Sequence, residues 1–196
     1  IALVDEAFGD WRSPNQPIPI CTPTPQFQPR LVTNEQDTQQ AIVMIGYPAP
    51  AVSSPDYAPL KVISTYLGNG LSSRLFVELR EKRGLAYEVS AFYPTRLETS
   101  QFVAYIGTAS KNTNIALEGL HHECKRLTTV ALTDKELEIC KSKLLGQYGL
   151  GKQTNGQIAQ VYGCYEVMGL GLDFDRYFVE AIAAVTLSDV PVSYTH

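Results

Sequence analysis

The order of hydrophobic and polar positions predicts strands in the first half of the chain. Residues 39–47 are apolar at nearly every position, which predicts a strand that is central in a sheet. Residues 85–93 alternate in part between two faces, with Tyr87 on the same face as Val89. Residues 102–108 are apolar on both faces and indicate an interior strand.

Two helices are expected between the first and second of these strands. Asp56 stands where an N-cap would begin a helix over 57–67, and Ser72 where a cap would begin the next one. Gly84 follows the second helix as its C-terminal break. The apolar stripe of that second helix consists of Leu75, Phe76 and Leu79.

Beyond residue 112 the apolar positions recur with helical spacing to about residue 185. Thr133 and Glu136 form a capping box, which predicts a helix start at this point. Strands with interposed helices, followed by a run of helices, indicate an α+β fold with a sheet and helices packed on one of its faces.

Composition divides the chain into three segments. Residues 13–29 contain six prolines among polar residues, which predicts an extended linker. Residues 1–12 are then the tail of a preceding domain, and residues 30–196 are the main domain, beginning with a short candidate strand at 30–33. Because the chain starts with isoleucine rather than methionine, we expect it to begin inside a longer protein.

Charge and hydropathy argue against binding to nucleic acid and against a membrane-spanning segment. The net charge of −4 provides no basic field for nucleic acid. No apolar run reaches the about 18 residues that a membrane span needs, and the N-terminus lacks the features of a signal peptide. The four cysteines form no C-x-x-C pair, so we expect buried thiols in a reducing compartment, with the cytoplasm favoured.

Most familiar catalytic motifs are missing from the sequence. His121, His122 and Glu123 form the one histidine-rich spot, but neither H-E-x-x-H nor H-x-x-E-H occurs. Adjacent helical histidines point about 100° apart, so we expect a solvated helix face and no metal bound by this chain. The glycines at 68–70 follow a helix rather than a strand, which favours a helix–helix corner over a phosphate loop.

Arg80 and Tyr87 are the candidate site residues. Arg80 borders the apolar stripe on the Phe76 side, so its stem can pack while its guanidinium reaches out. Tyr87 follows the Gly84 turn near the start of a strand. A cation and a phenol on two rigid elements could grip a polarised carbonyl. The alternative from the local pattern is a surface cation and a core tyrosine.

The segment around these residues resembles the C-terminal half-domain of the pitrilysin/insulinase zinc peptidases, the family of mitochondrial processing peptidase. The signature consists of Leu67-Gly68-Asn69-Gly70, Ser73-Arg74-Leu75-Phe76, Leu79-Arg80-Glu81-Lys82 and Gly84-Leu85-Ala86-Tyr87. Phe8-Gly9-Asp10-Trp11 and Ala184-Val185-Thr186 agree as well. The resemblance covers residues 30 to 190, and the chain departs from the family after Asp189.

The resemblance implies a protein of two similar halves that close around a peptide. Each half has a mixed, mainly antiparallel sheet with helices on one face. The N-terminal half carries zinc on H-x-x-E-H, whereas the C-terminal half supplies an arginine and a tyrosine, here Arg80 and Tyr87. These would bind the substrate and assist catalysis, with the phenol stabilising the oxyanion. The peptide would add as a strand at a sheet edge.

This resemblance leaves two functions open. The chain is either the substrate-binding, non-zinc half of a zinc metalloendopeptidase that acts on peptides or precursor proteins, or a non-catalytic scaffold or peptide-binding module of the same fold. In the first case it is inactive alone and needs a zinc-bearing N-terminal half or partner subunit, in a homodimer or a heterodimer. An unrelated α+β binding domain would require the signature to be a coincidence.

Overall fold

The computed structural model describes residues 1–12 and 28–192, without the side chains of 191 and 192. It divides the chain into two units, Ile1–Leu31 and Val32–His196. In the first unit, helix α1 (Ala2–Phe8) precedes a ring contact between Phe8 and Trp11, with centroids 5.8 Å apart. The linker expected over 13–29 lies outside the described residues, apart from its last two positions. No helix in the described ranges combines the length and apolarity that a bilayer crossing requires.

The second unit is built on an antiparallel sheet, which has three strands within the described residues. The strands are β1 (Gln40–Ala49), β2 (Glu88–Phe92) and β3 (Ser100–Ala109). Their order is β1-β3-β2, so β3 pairs with both other strands. Ile106 of β3 lies between Val43 of β1 and Val89 of β2. The prediction that residues 102–108 form an interior strand is therefore confirmed.

Helices cover one face of this sheet. α2 and α3 pack on the strands, and α4 and α6 pack against α2. The α-helices are α2 (Tyr57–Gly68), α3 (Thr113–Leu127), α4 (Asp134–Leu150), α5 (Asn155–Val167), α6 (Phe174–Ala184) and α7 (Asp189–Val192). A π-helix over Phe76–Glu81 and a 3-10 turn over Ser110–Asn112 complete the described elements. The expected α+β fold with helices on one face is confirmed.

The core lies between the sheet and the helices. Along β1, Val43 and Ile45 point to the helices and are buried, whereas Ile42 and Met44 point away and remain 69% and 60% exposed. This alternation follows from the period of two along a strand. The helical stripes meet the inner face of the sheet at fully buried side chains, among them Leu67, Leu79 and Leu120 from the helices and Ile106 from β3.

Two strand predictions are wrong. β1 is an edge strand of the described sheet and not a central one, because only β3 pairs with it. Residues 30–33 form no strand, and Leu31 and Val32 are 84% and 72% exposed. A run of apolar residues indicates an extended backbone, but it carries no information about how many neighbours that strand has.

The predicted caps differ in outcome. Thr133 and Glu136 form the expected capping box, with Thr133 Oγ1 accepting from the Glu136 N–H. Asp56 precedes α2 as expected but makes no side-chain capping bond. Ser72 does not cap its helix, whose helical turns begin at Arg74. The sequence thus located these helix starts better than it predicted their hydrogen bonds.

The cysteine prediction is correct in part. Cys124 and Cys140 are buried thiols, whereas Cys164 is exposed on α5, and Cys21 lies outside the described residues. Burial raises the pKa of the Cys124 thiol to about 11 and that of Cys140 to about 11. Neither buried thiol is therefore a nucleophile at neutral pH.

Candidate functional site

A glycine turn sets the distance between Arg80 and Tyr87. Gly84 has a φ of +61°, in the left-handed region that glycine adopts readily. The Gly84 N–H donates to the Arg80 carbonyl at 3.1 Å, and the Leu85 N–H donates to the Leu79 carbonyl at 2.9 Å. With Gly84 in the left-handed conformation, the first of these bonds is that of the αL motif of helix termination, which turns the chain from the helix toward the sheet.

Strand β3 fixes the far side of the same turn. The Tyr87 N–H donates to the Gly107 carbonyl at 2.8 Å, and Thr108 Oγ1 donates to the Leu85 carbonyl at 2.6 Å. Thr108 is fully buried, so this hydroxyl contact is shielded from water. The backbone that carries Tyr87 is therefore anchored before β2 begins at Glu88.

The side chains of Arg80 and Tyr87 both lie at the surface. Arg80 Nη1 donates to the Tyr87 carbonyl at 2.8 Å, and the guanidinium lies 5.0 Å from the centre of the Phe76 ring. Tyr87 is 57% exposed, although the alternation puts it on the same face as Val89, which is buried. It lies one residue ahead of β2, where the helices no longer cover it. The alternative of a core tyrosine is thereby excluded.

Both functional groups are free to meet another molecule. Within the described part of the chain, Arg80 has no ion-pair partner and the Tyr87 hydroxyl has no hydrogen bond. The structure brings the guanidinium to the backbone of Tyr87 and not to its phenol. The arrangement offers one cation and one hydroxyl donor on the same corner of the molecule.

A buried ion cluster holds the helix that carries Arg80 against α3. Glu123 is fully buried, and its Oε2 accepts from Arg74 Nε at 2.8 Å and from Arg126 Nη1 at 3.0 Å. Arg83 Nη2 lies 3.9 Å from the other carboxylate oxygen. Sequence reasoning missed this cluster: His121 and His122 are solvated as expected, but Glu123 is not.

The signature glycines shape the neighbouring corner. The Gly68 carbonyl accepts a hydrogen bond from Ser90 Oγ at 2.8 Å, which ties the end of α2 to β2. Gly70 has a φ of +78°, and Lys143 donates to the carbonyl of Asn69. The segment is a corner between helices, as the sequence indicates.

The residues of this chain that the structure describes do not fit a catalytic zinc ion. Among the described residues, no group of three or more histidine, cysteine, aspartate or glutamate side chains is arranged to hold a metal. Zinc peptidase sites take three protein ligands of these types. Any zinc chemistry therefore belongs to residues outside the described part of this chain, and the chemistry of this site is that of a cation and a phenol.

Comparison with known proteins shows the family. Residues 1–144 match the model of the peptidase M16 inactive domain. An uncharacterized zinc protease of Streptomyces coelicolor, SCO5738, is 33% identical over 154 residues, which cover 78% of this chain and 33% of that protein. YmxG of Helicobacter pylori, named a non-peptidase homolog, is 27% identical over 157 residues, covering 79% of this chain and 36% of its own length.

The fold agrees with solved structures. The crystal structure of a protease from Helicobacter pylori superposes with a TM-score of 0.78 at 22% identity, covering 98% of this chain and 47% of that one. The chain spans about a third of the length of the curated relatives that it matches. The resemblance to the pitrilysin/insulinase zinc peptidases is confirmed, and the chain belongs to the family of peptidase M16 inactive domains, the half without zinc.

Proposed function

We propose that this chain is the substrate-binding half of a two-half zinc metalloendopeptidase, in which Arg80 and Tyr87 serve a site completed by a zinc-bearing half. The observation that carries this proposal is their common position: both side chains are exposed at one anchored corner, and within the described residues neither makes a hydrogen bond or ion pair with another side chain. Residues 30–196 are then the half-domain, with 13–29 as linker and 1–12 as the tail of a preceding domain.

The two side chains would have different tasks. The Tyr87 phenol would donate a hydrogen bond to the substrate carbonyl oxygen as it gains negative charge, which stabilises the transition state more than the ground state. The Arg80 guanidinium is permanently charged and fork-shaped, so it would orient a substrate carbonyl or the peptide chain. One of its N–H groups is occupied by the Tyr87 carbonyl, which leaves the others for substrate.

The free edge of β1 is the candidate place for a part of the peptide away from the reacting carbonyl, because β3 lies between this edge and β2, beside which Tyr87 lies. Residues 40–49 contain no charged side chain, and Ile42 and Met44 are exposed. On the side of β1 away from β3, the backbone N–H and C=O groups have no neighbouring strand in the described sheet. Charges, bulges and covering elements normally protect such edges. An extended peptide could add here as a strand and gain main-chain hydrogen bonds.

Reconstitution tests this proposal. The chain alone should cleave no peptide, and cleavage should appear when a zinc-bearing half is added, either upstream in one polypeptide or as a separate subunit. Arg80→Ala and Tyr87→Phe should each lower turnover of the assembly at least about tenfold, because each removes a contact to the reacting carbonyl. The measurement is steady-state cleavage of a fluorogenic peptide library.

A matched variant controls for the loss of a surface arginine. Arg176 on α6 is 75% exposed at its side chain, and Arg176→Ala should leave turnover unchanged. If both Arg80→Ala and Tyr87→Phe behave like this control in an active assembly, the catalytic role is excluded.

A scaffold or peptide-binding module without catalysis is the second candidate. The relative from Helicobacter pylori favours this alternative, because its sequence is similar to 79% of this chain and its name calls it a non-peptidase homolog. Under this alternative, the partner half would lack H-x-x-E-H and the assembly would bind peptides without cleaving them. The presence of both Arg80 and Tyr87 favours the first candidate.

A further inference from the structure

The Phe76 ring lies beneath the cation of the candidate site. It is half-buried at the rim of the core, and the Arg80 guanidinium carbon lies 5.0 Å from its centre. This distance is within the range of a cation–π contact. The residue thus connects the packed interior to a group that is exposed to solvent.

The local helix geometry brings the two side chains together. Phe76 and Arg80 are four residues apart in the π-helix, whose wider turn closes with the Lys82 N–H on the Val77 carbonyl at 3.0 Å. Neighbours at this spacing share one side of a helix. Short π-helical segments of this kind recur at functional sites.

Two contacts from different elements therefore restrain one guanidinium. The Phe76 ring lies on one of its sides, and the Tyr87 carbonyl accepts from Nη1 at 2.8 Å. A free arginine side chain samples many rotamers, and ordering it costs conformational entropy when substrate binds. Contacts that exist before binding remove part of that cost.

We propose that Phe76 is a positioning residue, which holds the Arg80 guanidinium beside Tyr87 in the orientation that receives the peptide. This inference rests on the proposed function of Arg80. It assigns to Phe76 a task beyond filling space, because an aliphatic side chain of similar volume would pack against the core without attracting the cation.

Nuclear magnetic resonance on the full chain tests the restraint itself. Exchange of the side-chain Nε–H and Nη–H signals of Arg80 should show guanidinium rotation slower than that of Arg176, which is 75% exposed. Phe76→Leu should accelerate the rotation of Arg80, whereas Phe76→Tyr should preserve it because the ring remains. Equal rotation rates in the wild type and in Phe76→Leu would overturn the proposal.

Kinetics of the reconstituted assembly separate this proposal from the proposed function. Phe76→Leu should lower kcat/KM roughly threefold to fivefold, the size of an exposed cation–π contact, and Phe76→Tyr should restore it. In an Arg80→Ala background, Phe76→Leu should have no further effect. If Arg80→Ala lowers turnover and Phe76→Leu does not, positioning is wrong while the function stands. If Arg80→Ala has no effect, the proposed function fails. Whether Phe76 restrains the Arg80 guanidinium is then decided by the rotation rates alone.

Stability has to be controlled in these variants. Thermal unfolding of Phe76→Leu and Phe76→Met should show folded proteins, since Phe76 is only half-buried. Phe76→Met replaces Phe76→Leu in both experiments if the leucine variant does not fold.

Discussion

Replacing Glu123 with glutamine is expected to lower the free energy of unfolding by about 3–5 kcal/mol, the usual cost of removing one partner from a buried ion pair. Glutamine keeps the shape of the side chain but not its charge. Arg74 would then remain charged at 7% exposure, and its two terminal NH2 groups lack a well-aligned partner among the described residues even in the wild type. The Nε contact to Glu123 at 2.8 Å is its main compensation.

Urea unfolding of the full chain, followed by circular dichroism, measures this loss. Glu138→Gln is the matched control, because Glu138 also pairs with a basic residue, Lys141, but its side chain is 68% exposed. Exposed pairs contribute roughly 0–1 kcal/mol. A Glu123→Gln variant as stable as this control would show that the cluster does not hold the Arg80 helix in place.

Gly68→Ala is expected to destabilise the chain by about 3 kcal/mol, near the upper end for an overpacked core position. An added Cβ would lie 1.8 Å from the backbone nitrogen of Ala91 and 2.6 Å from its Cα. These atoms belong to β2 and cannot rotate away as a side chain would. The end of α2 would have to move off the sheet, and the Ser90 hydrogen bond to Gly68 would be lost.

A second helical glycine provides the control for Gly68→Ala. Gly146 lies within α4, and an added Cβ would meet nothing within 4 Å. Gly146→Ala should therefore raise the free energy of unfolding, by up to about 1 kcal/mol, because alanine favours the helix. Both variants change glycine to alanine in a helix, so opposite signs in the same urea titration isolate the clash. Equal effects would mean that α2 does not approach β2 this closely.

Local periodicity was sufficient for most elements of the fold. Residues 57–67 and 102–108 were located from the spacing of their apolar positions, and the Thr133 capping box from two residue types three positions apart. The edge position of β1 could not be obtained in this way, because an apolar pattern does not record the number of neighbouring strands, and in β1 it did not record burial either, since Ile42 and Met44 are exposed. The strand expected at 30–33 failed for a related reason: no pairing partner is present in the described sheet.

The burial of Glu123 could have been predicted in part from the spacing of apolar residues in α3. Glu123 continues the stripe of Ala116, Leu120 and Leu127 at spacings of three and four residues, so its position already indicated the core side of α3. Its polarity argued for solvent instead. A buried carboxylate needs cationic partners, and Arg74 and Arg83 lie far away in the sequence. Only the tertiary structure brings them together.

The family signature identifies the two residues of the candidate site more clearly than their local chemistry does. Arg80 and Tyr87 are unremarkable residue types, and their spacing has meaning only because the Gly84 turn folds the chain at this point. The exposure of Tyr87 differs from the strand alternation because β2 begins one residue later. The contact of Arg80 with the Tyr87 carbonyl involves the backbone, which no side-chain pattern encodes.

The most direct test of the account measures how the reconstituted assembly binds a tetrahedral, non-hydrolysable analogue of a cleaved peptide. If the Tyr87 hydroxyl stabilises the oxyanion, Tyr87→Phe should weaken binding of the analogue at least about tenfold, in parallel with kcat/KM, while affinity for the uncleaved peptide stays within about twofold. Equal affinity of wild type and Tyr87→Phe for the analogue would contradict the claim that this half lends its phenol to the reaction.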